Sequence, residues 1–178
     1  MLRLFVGLRP PPAIRAGLLE LVGGVPGARW QDDDQLHITL RFIGEIDRRV
    51  AEDCVAALSS VRSPPFELAL AGVGRFDTRG RVNALWAGVR PHEAIAALHR
   101  KIDAALVRTG LAPERRAYLP HVTLARLNAQ AESVEPFLAS HAGLVSERFA
   151  VEQFLLFESH LGRGGARYEA IARFALSG

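Results

Sequence analysis

Two short segments, Leu36-His37-Ile38-Thr39-Leu40 and Pro120-His121-Val122-Thr123-Leu124, are near copies of one another set 84 residues apart in a chain of 178. In the first, Leu36, Ile38, Leu40 and Phe42 alternate with His37, Thr39 and Arg41, the period of two that marks a half-buried strand. In both copies the histidine and the threonine share the polar face, and the residue between them points to the core. The surrounding pattern repeats as well. Residues 2–8 and 82–89 read as opening strands, 13–22 and 91–108 as helices, and 36–43 and 118–127 as histidine-bearing strands. Second helices are expected over 47–61 and 132–140, closing strands over 66–76 and 149–157, and one more strand over 167–174. Asp47 is placed to cap its helix, Pro64-Pro65 to stop it, and Pro91 to start the next.

Corresponding elements are offset by 79 residues at the opening strands, 84 at the histidines and 83 at the closing strands, as in a duplicated unit. Each copy predicts a sheet with helices on one side, whose other face needs cover. The expected fold is α+β and bilobal, with pseudo-twofold duplicated strand-helix-strand-helix-strand units. Mostly antiparallel sheets would flank a central cleft, with helices outside. Residues 1–178 then form a single domain whose two lobes span approximately 1–80 and 81–178.

Hydrophobic residues make up 49% and charged residues 23% of the chain, which excludes a disordered or fibrous class. No apolar run approaches the roughly 20 residues that cross a bilayer. The start of the chain lacks a full signal-peptide pattern and soon meets Pro10-Pro11-Pro12, so a cytoplasmic protein without a membrane partner is expected. Cys54 is the only cysteine, which leaves no intrachain disulfide and no multi-thiolate metal site. Of 22 basic residues 21 are arginine, only Lys101 is lysine, and the net charge is +3. Arginine grips phosphate with a planar fork, yet this excess is too small to mark a broad nucleic-acid face. Arg79-Gly80-Arg81, Arg115-Arg116 and Arg163-Gly164-Gly165-Ala166-Arg167 read first as solvated turns.

Under a twofold relation His37 and His121 face each other across the cleft, with Thr39 and Thr123 beside them. Imidazole titrates near pH 6.5, so at neutral pH one histidine takes a proton while another, held cationic by an anion, gives one. Such a pair suits phosphodiester cleavage without a metal, the threonine hydroxyls and an arginine holding the phosphoryl oxygens. Symmetry does not say which histidine is the acid. His92 and His99 read as surface residues of a helix, and His141 and His160 have no partner motif. Phe5, Phe42 and Tyr118 read as core aromatics ahead of base-stacking rings. Neither a P-loop nor a dinucleotide motif is present, and histidines beside threonines do not form a recognisable zinc site. No cofactor and no metal are expected.

The sequence resembles the RNA 2',3'-cyclic phosphodiesterase (2'-5' RNA ligase) family of the two-histidine phosphoesterase superfamily over essentially its full length. The segments that carry the resemblance are Arg3-Leu4-Phe5-Val6-Gly7-Leu8, Leu36-His37-Ile38-Thr39-Leu40-Arg41-Phe42-Ile43-Gly44-Glu45 and Tyr118-Leu119-Pro120-His121-Val122-Thr123-Leu124-Ala125-Arg126, together with residues 66–76 and Arg81-Val82-Asn83-Ala84-Leu85-Trp86. Tyr118 stands where the family usually shows Phe. The resemblance implies metal-independent opening of RNA 2',3'-cyclic phosphate ends to 2'-phosphomonoesters, with reverse 2'-5' ligation as a further activity. It implies that His37 donates the proton to O3', that His121 accepts one from water, and that Thr39, Thr123 and Arg126 bind phosphate. Strict alternation turns Arg126 away from His121, so that contact requires a bulge or strand end near Ala125. The expected partner is RNA ending in a 2',3'-cyclic phosphate, or a small cyclic phosphate, and the expected state is a monomer. The rival readings are hydrolysis of another cyclic phosphate, such as that of ADP-ribose or a small cyclic nucleotide, and a non-catalytic RNA-binding module.

Overall fold

Apolar runs, Pro and Gly punctuation and capping residues place the elements close to where the sequence predicts them. In the computed structural model, which describes residues 1–178, β1 (Leu2–Leu8), α1 (Pro12–Leu19), β2 (Arg29–Trp30), β3 (Ile38–Ile46), α2 (Arg48–Ser59) and β4 (Phe66–Thr78) form the first half. The second half holds β5 (Arg81–Arg90), α3 (Glu93–Val107), β6 (His121–Arg126), α4 (Glu135–His141), β7 (Phe149–Val151), β8 (Gln153–Gly162) and β9 (Gly165–Ala175). Pro12 opens α1, and the Asp47 side chain accepts the Val50 N–H at 2.9 Å to cap α2, as a free N-terminal amide requires. No helix is long and apolar enough to cross a membrane.

Every strand pair is antiparallel, and the strands join in one curled sheet in the order β7-β4-β5-β6-β3-β1-β8-β9, with β2 on β6. The closing strands cross over: β4 of the first half pairs with β5, and β8 of the second half pairs with β1. The single strand expected over 149–157 is two strands split at Glu152, because β7 pairs with β4 while β8 pairs with β1. Those positions lie near opposite ends of the pairing path, so the sheet curls back on itself.

Helices α2 and α3 cover the convex face, contributing Ala51, Cys54, Leu58, Ile95, Leu98, Ile102, Ala105 and Leu106 to a core of 35 buried residues. Burial of this apolar surface is the main force holding sheet to helices. The concave face carries a smaller cluster, Phe5, Leu155 and Phe157, with Tyr168 packed against it. Glycine makes room here: a Cβ on Gly74 would lie 2.2 Å from the Trp86 ring, and one on Gly7 would lie 2.8 Å from the Ile38 carbonyl oxygen.

The alternation expected for β3 breaks. Gly7 lies opposite Thr39 and Val6 opposite Arg41, so Leu40 is an extra residue, a β-bulge that shifts the phase through Phe42, and a second bulge follows at Ile43. Leu40 and Arg41 therefore both point to the core side, and Phe42 returns to the concave face. Arg41 is not on the face of His37 as the sequence suggests; it is 6% exposed and donates to Asp103 Oδ1 on α3 at 2.6 Å and to the Ala112 carbonyl. Partial burial alone would raise the Asp103 carboxyl, but the Arg41 hydrogen bond and charge hold it below its usual range. Removing one member of a buried pair strands the other's charge. Asp103→Leu should lower stability by roughly 3–5 kcal/mol, and Arg41→Leu combined with Asp103→Leu by clearly less than the two single losses summed. Urea unfolding of the four proteins checks this.

Candidate active site

Strands β3 and β6 meet at one backbone pairing, Ile38 opposite Val122. In an antiparallel register centred there, His37 falls toward Thr123 and His121 toward Thr39. The two H-x-T motifs thus converge at the middle of the concave face. Thr39, His121 and Arg126 line a common cleft of about 530 Å³ with Phe42, Phe76, Asn83, Arg116 and Tyr118.

Both imidazoles are held the same way. His37 Nδ1 donates to the Gln35 carbonyl at 2.7 Å, and His121 Nδ1 donates to the Leu119 carbonyl at 2.7 Å. A carbonyl accepts only, so each neutral ring is fixed with its proton on Nδ1 and its lone pair on Nε2. His37 Nε2 lies 3.0 Å from Thr39 Oγ1, accepting the hydroxyl proton when neutral and donating when cationic. Gln35 is itself fixed: its backbone N–H is capped by Asp32 and its side-chain amide donates to the Ala166 carbonyl at 2.8 Å.

Each ring has an aromatic wall. His37 packs against Phe5 at 4.8 Å, edge to face on Tyr168 at 5.0 Å, and on Phe157 at 6.2 Å between centroids. His121 meets Phe76 edge to face at 4.8 Å and Trp86 at 6.1 Å. Burial pushes His37 down to about 4; the Gln35 carbonyl opposes this, and the positive charges of His121, Arg126 and Arg9 add to it. Burial also lowers His121, with the Leu119 carbonyl opposing and Arg126 adding. The charges of His121 and Arg126 bear on His37, and that of Arg126 on His121, so burial and nearby positive charge both favour the neutral rings.

Arg126 reaches the cleft because β6 bulges where the sequence requires it. Thr123 lies opposite Trp86 and Ala125 opposite Leu85, so Leu124 is the extra residue, and Arg126 comes round to the histidine face. Arg126 also borders a second concavity with Arg29, Gln35 and Tyr168. Three groups escape a reading of the sequence. Tyr168 sits on a hairpin whose alternation gives no sign of its partner. Gln35 acts through its backbone carbonyl, which no side-chain pattern reveals. His99, expected at the helix surface, donates from Nδ1 to the Leu40 carbonyl at 2.6 Å and stacks on Tyr118 at 4.2 Å. Tyr118 in turn donates to the Thr39 carbonyl at 2.8 Å, so these two side chains clasp the β3 bulge. Phe42 is not core, as its apolar alternation suggests, but 46% exposed.

Glu158, His160 and Glu169 cluster on the β8–β9 hairpin, with donor atoms spaced as a metal ion would need and His160 Nε2 3.1 Å from Glu169 Oε2. Alternation places them opposite Ser159 and Tyr168, on the face away from His37. Neither His37 nor His121 belongs to a cluster of metal-ligating side chains.

The family model of the 2'-5' RNA ligase superfamily matches residues 10–163. An RNA 2',3'-cyclic phosphodiesterase of Geobacillus stearothermophilus is 32% identical over 156 residues, covering 86% of this chain and 49% of the relative. The chain thus spans about half the length of that relative. One from Escherichia coli K12 is 31% identical over 145 residues, covering 81% of this chain and 77% of the relative. The crystal structure of E. coli LigT in apo form superposes with a TM-score of 0.82 at 27% identity, covering 99% of this chain and 98% of that one. The structure of LigT complexed with 3'-AMP superposes with a TM-score of 0.81 at 26% identity, covering 99% of each chain.

Lowered histidine pKa values carry a stability consequence. The unfolded chain binds protons at these rings near pH 6.5 while folded His37 stays neutral to about 4, so stability is full above pH 6.5 and falls as pH drops toward 4. His37→Asn should flatten part of that loss: the difference in Tm between variant and parent should move in the variant's favour from pH 7.5 to pH 5. Calorimetry across that range measures it.

Proposed function

The chain belongs to the 2'-5' RNA ligase superfamily, and on that premise we propose that it opens RNA 2',3'-cyclic phosphate termini by acid-base catalysis between His37 and His121. The observation that carries this reading is the matched pair of imidazoles, each fixed through Nδ1 to a carbonyl and each keeping Nε2 for proton transfer. A positioned pair of this kind fits acid-base catalysis of displacement at phosphorus.

In the proposed step, His121 Nε2 takes a proton from water as its oxygen bonds to phosphorus. The P–O3' bond breaks, and O3' takes the proton that His37 Nε2 carries, leaving a 2'-phosphate. Thr39, Thr123 and the Arg126 guanidinium hold the non-bridging oxygens, where charge accumulates. The assignment of acid and base follows the family resemblance. The free-state charges set a condition on it: His37 is the more strongly depressed ring, so its proton must be held by the substrate's anionic phosphate. In 2'-5' ligation a 5'-hydroxyl takes the place of water: His121 removes its proton as its oxygen bonds to phosphorus, and the P–O3' bond breaks with O3' taking the proton of His37.

The test is to incubate the purified protein, in excess chelator, with an oligoribonucleotide ending in a 2',3'-cyclic phosphate. A 2'-phosphate product is expected; a 3'-phosphate would reverse the leaving-group assignment, and no product would favour a binding module. His37→Ala and His121→Ala should each cut turnover by roughly 10²–10⁴-fold, and Thr39→Ala or Thr123→Ala by less. The pH profile of kcat/KM reports the free enzyme and should peak below pH 6.5, falling on both sides. The profile of kcat should peak at higher pH, because bound phosphate raises the pKa of both rings.

A further inference from the structure

Arg126 is shared between two concavities. One is the cleft of the histidines. The other, about 410 Å³, lies between Arg29 and Gln31 on one side and the tip of the β8–β9 hairpin on the other, with Gln35 and Tyr168 in its wall and no carboxylate lining it. Arg29 lies directly opposite Arg126 in the β2–β6 pairing, so two guanidiniums share one face of adjacent strands, where like charges repel. Nearby arginines are answered by acids: Arg9 and Arg15 pair with Asp33, and Arg41 with Asp103, whereas Arg29 and Arg126 form no ion pair and no side-chain hydrogen bond.

Gln31 is a second, independent sign of a ligand. It is 8% exposed, its backbone N–H donates to the Leu124 carbonyl, and its side-chain amide has no partner within the protein. A polar group buried to this degree is ordinarily satisfied; this amide borders the cavity instead. The walls are also fixed. Gln35 donates to the Ala166 carbonyl at 2.8 Å, tying the hairpin tip to the turn that precedes His37. A Cβ on Gly165, whose φ is +107°, would sit 3.3 Å from Gln35 Nε2 and 3.9 Å from Arg29 Cζ, so glycine lets the hairpin close down on both.

We propose that this second concavity binds the phosphodiester that precedes the terminal nucleotide, so that the protein grips two successive phosphates of one RNA strand. This deepens the proposed cyclic-phosphate reading and rests on it. Two unpaired guanidiniums, an unused amide and the Tyr168 hydroxyl supply donors to phosphate oxygens, which only accept. The side of the cleft follows from the direction of the step. The attacking oxygen enters beside His121 and O3' leaves beside His37, so the ribose and the strand continuing from it lie toward His37. The second concavity is on that side, because Gln35 holds His37 Nδ1 and Tyr168 packs edge to face on its ring. Arg126 then stands between the two phosphates, and the second anion offsets the repulsion between Arg29 and Arg126.

The experiment compares three ligands by isothermal titration calorimetry: adenosine 2'-phosphate, a 3'-5' linked adenosine dinucleotide with a terminal 2'-phosphate, and that dinucleotide with an uncharged methylphosphonate link. The charged dinucleotide should bind roughly 10- to 100-fold more tightly than either of the others. Arg29→Ala removes an exposed, unpaired side chain; it should erase that margin and change adenosine 2'-phosphate by less than about twofold. Arg29→Lys should restore part of the margin, and Gln31→Leu should weaken the charged dinucleotide alone by about 3- to 10-fold. Equal affinity for the charged and uncharged dinucleotides, no binding of the charged one, or Arg29→Ala weakening all three ligands alike would overturn the proposal. A protein that favours the charged dinucleotide through Arg29 but leaves cyclic phosphates intact would sink the proposed reaction and leave the subsite standing.

Discussion

One backbone pairing, Ile38 opposite Val122, joins the two halves of the sheet, and the site exists because the central strands separate on either side of it. Paired along their length, they would have put His37 and Thr123 on an unbroken pleated face. Meeting at one point, they leave a cleft lined by Thr39 of one H-x-T segment and His121 of the other. The exchange of β4 and β8 between halves reinforces the junction. Neither half of the chain completes its own sheet, so the relative placement of the histidines is set by strand pairing along the whole curl. Rigid strands are suited to acid-base chemistry, since misplacement of about 1 Å can cost on the order of 10²-fold in rate.

The pseudo-twofold scaffold supports an asymmetric reaction. The bulge at Leu40 turns Arg41 inward to Asp103, while the bulge at Leu124 turns the small Ala125 inward. The side chains that follow differ accordingly, an aromatic ring in one half and a guanidinium in the other. Aromatic packing is also unequal: His37 contacts Phe5, Phe157 and Tyr168, and His121 contacts Phe76 and Trp86. Burial consequently depresses both rings but brings only His37 to about 4. Two similar residues are given different proton affinities, in the order opposite to their proposed roles until an anionic phosphate holds the proton on His37.

Much of this is legible in the sequence, and the remainder is hidden for physical reasons. Repeated H-x-T at matching offsets discloses the histidines and threonines, because period two is a local property of a strand. Asp47 and Pro12 announce helix starts because capping is equally local. Bulges are not local: Leu40 and Leu124 become extra only against the register of β1 and β5. Alternation alone consequently assigns Arg41 and Phe42 the wrong faces, and it reaches Arg126 only by requiring a bulge near Ala125. His99 and Tyr168 act across 59 residues and from a distant hairpin, respectively, contacts that only tertiary structure creates.

Charge coupling between the rings is central to the mechanism, and ¹⁵N NMR titration of the imidazoles measures it directly. Without ligand, both His37 and His121 should titrate below 6.5, with His37 the lower, near 4; adding inorganic phosphate should raise both midpoints. Two independent titrations near 6.5 that phosphate leaves unmoved would contradict it.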